Sequence, residues 1–456
     1  MKKLMHTMKG NRPQSSQNIG SQNRARRTRS NRNQSNEANP EDLQPETPPH
    51  NSARSIESSS DQQTQHARAK LKSPSEYAYR VSGIPLDHSI PMVKELLENK
   101  LLLQPSSNQV EVKSLASSTD NQTKVATISF TEAPISLSRK DGQTFDIPEL
   151  RVSGAQDSDN LVPRPLSITV DDHFIGLTTL YCPSAEDHKS DLIAISGLGG
   201  HAFGSFKERE GPHMWLRDSL PHDIKSCRVL IYGYNTQVKG SQSFQDLEAL
   251  GSTLRVSIES MNEVKPLIFV AHSLGGLIVK QALIQMRSGS EASQRIIHST
   301  YGVLFFGVPN QGMEIESFLP IVKQQPNASL LYTLGTESQL LREQSRAFQK
   351  VFDFQDSEVF CFYETLESPT AEEKNGKLSM TGRETILVGS SSATHGRSWE
   401  SQAHHIQAIN RNHSDLVKFR NNDEVYSTVL AKLKSFTTKA SGTRFPRRSQ
   451  TEGIDV

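Results

Sequence analysis

One stretch constrains this 456-residue chain more than any other: LIFVAHSLGGLIVKQAL, residues 267–283. A near-continuous apolar run, the pattern of a strand buried on both faces, passes through Ala271-His272-Ser273-Leu274-Gly275-Gly276 straight into an apolar helix. A strand that reverses into a helix within one tight turn brings backbone and side chains into contact two positions before and after the serine, so both places need small residues. Ala271 and Gly275 occupy them. Such a turn lifts the Ser273 hydroxyl clear of the sheet and aims the helix N-terminus, with its unpaired N–H groups and positive dipole end, at a reacting oxygen. This is a nucleophile elbow in which Ala271 replaces the usual glycine, so the match is x-His-Ser-x-Gly rather than Gly-x-Ser-x-Gly.

The surrounding sequence has the alternation that an elbow requires. From Leu166 onward, the apolar runs DLIAIS, RVLIYGY, LIFVA, YGVLFFGV, EVFCFYE and TILVG read as buried parallel strands. Between them lie helical patterns such as SFQDLEALGSTLRVSIESMN and LGGLIVKQALIQM. A last helix, about Asp423 to Phe436, repeats Val425, Val429, Leu433 and Phe436 at helical spacing. The expectation for residues 166–436 is an α/β domain with a mostly parallel, doubly wound sheet, followed by a disordered tail over 437–456.

The N-terminal part differs. Residues 1–73 are rich in Ser, Asn, Gln and Arg, lack apolar periodicity and read as a disordered basic arm, with Arg24, Arg26, Arg27, Arg29 and Arg32 ahead of the first acidic residue, Glu37. Residues 74–134 read as a small α+β unit: YAYRVSGI as a strand, PMVKELLENKL as a helix with Val93, Leu96, Leu97 and Leu101 on one side, then QVEVKSLA and KVATISF as strands. That β-α-β-β order matches the first part of a ferredoxin-like unit and loosely resembles RNA-recognition domains. KVATISF offers only Phe130 for base stacking where two aromatics are expected, so nucleic acid is not an expected ligand. A protein partner of this unit is left unknown. Residues 135–165 read as a linker with one short strand.

Bulk properties narrow the class. Hydrophobic residues make up only 34% of the chain, which fits sizeable non-globular segments, and a net charge of +1 gives no electrostatic case for nucleic acid or an anionic membrane. Cys182, Cys227 and Cys361 are isolated, without CxxC spacing, so neither a disulfide framework nor a zinc site is indicated. No run reaches the roughly 18–20 apolar residues of a membrane span, and no signal-peptide core is visible. An intracellular, cytoplasmic protein is expected, with the mitochondrion, the endoplasmic reticulum surface or, through the basic arm, the nucleus as alternatives.

Partners for Ser273 follow from chain order. ISGLGGHAFGSF, directly after the strand DLIAIS, is a glycine turn able to point N–H groups into a site, so the amides of Leu198 and Leu274 are the expected oxyanion donors. The lysine and hydroxyl residue of a phosphate loop are missing from it. The base should be a histidine after the final strand. Of His395, His404, His405 and His413, the last sits in the polar loop NRNHSDLVKF just before the C-terminal helix and is preferred. Glu364, at the end of EVFCFYE, is the expected acid, with Glu367 as the alternative and Glu384 and Glu400 as poorer ones. Residues 311–354 are long enough for a helical cap over the site. No metal or organic cofactor is implied.

The runs GLGGH, MWLRDSLP, RVLIYGYN, VAHSLGGLIVKQAL, LFFGVPNQG and NHSDLVKF resemble fungal and animal hydrolases related to serine-active-site-containing lipid hydrolases, which also occur as N-terminal modules of fungal NTPase receptors. The resemblance covers about Leu166 to Phe436. It implies an α/β-hydrolase fold, a Ser/acid/His triad with the serine at Ser273 and the histidine at His413, and links to phospholipid handling or signalling. Two departures are visible: Ser196 stands where relatives tend to have histidine in HGLGG, and Ala271 replaces glycine. The expected function is that of a serine esterase or lipase-like enzyme acting on an acyl or phospholipid ester, with peripheral membrane contact. The competing expectation is a hydrolase-fold module that signals by binding.

Overall fold

A computed structural model describes residues 78–103, 109–134, 137, 143–146, 167–354, 356–374, 377–400 and 402–442. The basic arm, most of the expected linker and residues 443–456 lie outside these.

β1 (Ala78–Ile84), α1 (Ile90–Lys100), β2 (Val110–Ser117), β3 (Lys124–Phe130), β4 (Gln143–Asp146) and β5 (Ser167–Asp171) build the first sheet, in the order β2-β3-β1-β5-β4. Every pairing is antiparallel. β2-β3-β1 with α1 is the half-ferredoxin arrangement expected from the sequence. Its second half is not completed in that manner: the place beside β1 is taken by β5, paired in turn with β4. Two boundaries change accordingly. β5 belongs to this sheet rather than opening the α/β domain, and β4 is one of its strands rather than an element of a linker. The reason is periodicity: Ile168 and Val170 are buried and alternate with half-buried Ser167 and Thr169, the pattern of a one-faced antiparallel strand. Both pack with Val81, Val93, Leu97 and Ile128 in a core of their own.

The second sheet begins with β6 (Gly176–Tyr181) and continues with β7 (Ser190–Ile195), β8 (Cys227–Gly233), β9 (Leu267–His272), β10 (Thr300–Phe306) and β11 (Glu358–Glu364). After a separate two-stranded hairpin, β12 (Ser368–Lys374) and β13 (Lys377–Thr385), β14 (Ile406–Ile409) completes it. The order is β14-β11-β10-β9-β7-β8-β6, parallel throughout except for β6 at one edge. TILVG was expected to be a strand of this sheet. Only Thr385 is in a strand, at the end of β13, and residues 386–389 form a loop. The edge place goes to β14, whose four residues IQAI are too short and too polar to stand out in the sequence.

The remaining helices are α2 (Trp215–Asp218), α3 (Leu220–Asp223), α4 (Leu247–Glu259), α5 (Leu274–Arg287), α6 (Glu291–His298), α7 (Leu319–Val322), α8 (Ala328–Thr333), α9 (Gln339–Val351), α10 (Ser390–Ala393) and α11 (Glu424–Gly442). α4, α5, α6 and α9 bury their apolar sides on one face of the second sheet. α2, α3 and α11 cover the other. α11 runs to Gly442, through residues expected as tail, because Ala440 continues its buried side. The helical cap expected over 311–354 is corrected for its second half, whereas Met313 and Phe318 of its first half line the cavity that contains Ser273. α9 turns Leu341, Gln344, Ser345 and Phe348 inward, and Gln344 donates to the Leu277 carbonyl of α5, which makes α9 part of the covering layer. α7 and α8 instead join Val238 and Ala371 in a small separate cluster with Phe318, Val322 and Leu331. Among the described residues no helix is long and apolar enough to cross a membrane.

Candidate active site

Ser273 stands between β9 and α5 with φ 53° and ψ −128°, a backbone conformation that costs a non-glycine residue on the order of 1–3 kcal/mol. The sheet holds it there: the Ser273 amide donates to the Phe306 carbonyl at 2.9 Å. A Cβ at Gly197 would lie 2.6 Å from the Ser273 Cβ, so the GLGG loop touches the elbow and only glycine fits the contact. Ala271 is fully buried among the helices above it, which shows that the methyl group in place of the usual glycine is accommodated.

In the loop after β7, Gly199 donates to the Thr236 carbonyl at 2.8 Å and Gly200 to that of Gly197 at 3.1 Å. The amides of Leu198 and Leu274 have no hydrogen-bond partner among the described residues, and Leu198 lines the cavity that contains Ser273. Ser196 is fully buried. Its hydroxyl has no partner among the described residues either, while its carbonyl accepts from the Tyr234 hydroxyl at 2.9 Å.

The carboxyl ends of β11 and β14 bring Glu364 and His413 together. His413 opens a short 3-10 turn capped by Asn412, and its amide donates to Ser368 Oγ at 3.0 Å. Its Nδ1 donates to Glu364 Oε2 at 2.6 Å. The other carboxylate oxygen accepts the amides of Leu387 at 2.9 Å and Val388 at 3.0 Å, so Glu364, 3% exposed, is fixed at both oxygens. With the Nδ1 proton committed to the carboxylate, Nε2 is the proton-accepting nitrogen; it is buried and has no partner among the described residues. Gly307, at φ +54°, makes room for the ring, since a Cβ there would sit 2.9 Å from His413 Cε1.

Ser273 and His413 line one cavity of about 1290 Å³, walled also by Val238, Met313, Phe318, Met380 and Leu387. Ser273 Oγ makes no hydrogen bond among the described residues. The other titratable groups weighed from the sequence lie apart from this pair. Glu367 and Glu384 are exposed, and Glu400 is bound to Arg397 and to the Val359 amide. His395 meets Gln311, His405 lies near Glu358, and the His404 ring meets that of His405 at a tilt.

Three contributors escaped the sequence reading. His272, the residue before the serine, is buried and donates from Nε2 to the His413 carbonyl. Burial, with His413 and Lys418 nearby, holds its pKa well below the usual 6.5. The motif marks this position only as variable. The Leu387 and Val388 amides were hidden because TILVG reads as a strand, and Ser368 lies in a stretch, SPTAEEK, with no apolar pattern to single it out.

A mostly parallel sheet, a strained serine elbow after β9, an acid at the end of β11 and a histidine after the last strand define an α/β-hydrolase fold. That fold is related in sequence to Protein SERAC1. The Danio rerio protein is 26% identical over 209 residues, 41% of this chain and 32% of that protein; the Homo sapiens protein is 23% identical over 201 residues, 39% and 30% respectively. The match thus spans about a third of the length of these curated relatives. Among solved structures, the mature lipase BlEst2 of Bacillus licheniformis superposes with a TM-score of 0.35 at 12% identity, over 56% of this chain and 97% of that one. No family model matches the chain.

Proposed function

We propose that this protein is a serine hydrolase that cleaves a carboxylic ester carrying an acyl chain. The observation that carries the reading is the buried Glu364–His413 pair: His413, whose Nε2 has no partner among the described residues, lines the same cavity as the strained Ser273. His413 takes the Ser273 proton as Oγ adds to the carbonyl carbon, and the Leu198 and Leu274 amides hold the resulting oxyanion. Collapse of the tetrahedral intermediate expels the alcohol, which receives the proton from His413 and leaves an acyl-enzyme. Water, deprotonated by the same histidine, then releases the acid. Glu364 orients the imidazole and stabilises its cation. The apolar side chains of Val238, Met313, Phe318, Met380 and Leu387 suit an acyl chain better than a polar substrate.

A fluorophosphonate probe with p-nitrophenyl esters tests this. The folded protein should be labelled and turn over ester, while Ser273→Ala should lose labelling and about 10⁶-fold in kcat, as nucleophile removal does in serine hydrolases. A folded wild-type protein that neither labels nor turns over ester would favour a binding module on a hydrolase fold.

A further inference from the structure

Arg80 belongs to β1, in the antiparallel sheet, yet its guanidinium closes a turn on the wall of the active-site cavity. Nε donates to Asp171 Oδ2 at 2.9 Å, and Nη1 donates to the Ile175 carbonyl at 2.8 Å and to Thr178 Oγ1 at 3.0 Å. The second Asp171 oxygen accepts the amides of His173 at 3.0 Å and Phe174 at 2.9 Å. Residues 171–176, which join β5 to β6, are therefore wrapped around one cation. His173, Ile175 and Gly176 line the cavity.

The same turn grips the glycine loop. Phe174 is fully buried at φ 53°, an unfavourable conformation for a side chain of its size, and its ring stacks on Phe203 at 5.4 Å and meets His201 edge-on at 5.5 Å. His201 Nε2 donates to the Asp172 carbonyl at 2.6 Å, and Nδ1 accepts the amides of Phe203 at 3.3 Å and Gly204 at 2.9 Å. Residues 197–204, which touch Ser273 at Gly197 and carry the Leu198 amide, are thus fastened to a turn that Arg80 holds shut.

We infer that Arg80 is a positioning residue for the oxyanion loop, and that bracing this loop is the contribution of the antiparallel sheet to the hydrolase. The kinetic side of the inference rests on the function proposed above; the structural side does not. Arg80 acts at a distance, through Asp171, Phe174 and His201, and is not itself catalytic.

Hydrogen exchange on the full chain separates the two. In Arg80→Gln, the Phe203 and Gly204 amides should exchange about 10-fold or more faster, with Arg80→Lys intermediate because a point charge cannot reproduce the guanidinium fork. Leu97→Ala, in the core of the same sheet, should lower the melting temperature without that local change. Ester turnover by Arg80→Gln should fall about 10-fold or more in kcat with KM within about threefold, the split expected when oxyanion stabilisation rather than substrate binding is lost. Asp171→Asn, which keeps an oxygen for the two amides, carries the same expectations should Arg80→Gln not fold. Unchanged exchange at Phe203 and Gly204 in a folded variant, or equal acceleration in Leu97→Ala, would overturn the inference. A wild-type protein that resists the fluorophosphonate while Arg80→Gln still loosens the loop would instead fault the hydrolase reading alone.

Discussion

The His272 ring donates its Nε2 proton to the His413 carbonyl oxygen at 2.9 Å, with the two imidazoles 4.8 Å apart. The residue before Ser273 therefore holds the backbone of His413. Glu364 fixes the His413 ring from one side and His272 fixes its main chain from another, so Ser273 and His413 share a brace as well as a cavity.

A side chain that keeps this donor should keep activity. Gln places an N–H near the position of His Nε2 and Phe places none, so His272→Gln should retain kcat within a few-fold while His272→Phe loses about 10–100-fold, the scale of a misplacement near 1 Å. Steady-state kinetics on a p-nitrophenyl ester, with melting temperatures to confirm folding, makes the comparison. Equal kcat for Phe and Gln would remove the brace from the account.

The same residue should leave a mark on acid stability. Its folded-state pKa is depressed by burial and by the neighbouring His413 and Lys418, with the carbonyl bond working the other way. Below pH 6.5 the unfolded chain takes up a proton that the folded protein refuses, so stability rises with pH and is lost as pH falls from about 6.5 toward the folded value. The slope approaches about 1.4 kcal/mol per pH unit. His272→Gln lacks that loss. Between pH 7.5 and 5.5, denaturant melts should show the wild type weakening relative to His272→Gln. His395 and His405, also shifted down by burial, are common to both proteins and cancel.

Replacing the carboxylate tests the acid. Glu364→Gln keeps the shape but turns a charged hydrogen-bond acceptor into a neutral amide, and kcat should fall roughly 10³–10⁴-fold, as when a triad acid is neutralised. Glu367→Gln, at an exposed position, should be close to wild type. Probe labelling distinguishes a crippled site from an unfolded chain, and the reverse ranking of the two variants would move the acid to Glu367.

What could be read from the sequence is what steric or topological necessity writes into it. Small residues around Ser273 follow from the tightness of the turn, and Glu364 and His413 could be nominated because parallel strands end on one side of the sheet. Both sit where that logic puts them, 2.6 Å apart at Nδ1 and Oε2. The misreadings come from apolar runs that serve another end. TILVG is apolar because Leu387 and Val388 bury their side chains in the core from within a loop, and its amides, which carry no side-chain signature, are what hold Glu364. α9 has the length and amphipathicity of a cap helix, but periodicity does not say which neighbour its apolar side meets. Arg80 is a lone cation on a strand until the β5–β6 turn folds back against it.

The hairpin β12–β13 leaves the sheet just after Glu364 and returns just before Leu387, so the chain departs from and comes back to a single carboxylate. Ser368 at one end binds the His413 amide, the Leu387 and Val388 amides at the other bind Glu364, and Ser379 and Met380 in between reach the cavity wall. The anchor points are thus separated from the segment they enclose. A substitution at Ser379 or Met380 therefore alters the cavity wall without removing any atom that binds Glu364 or His413.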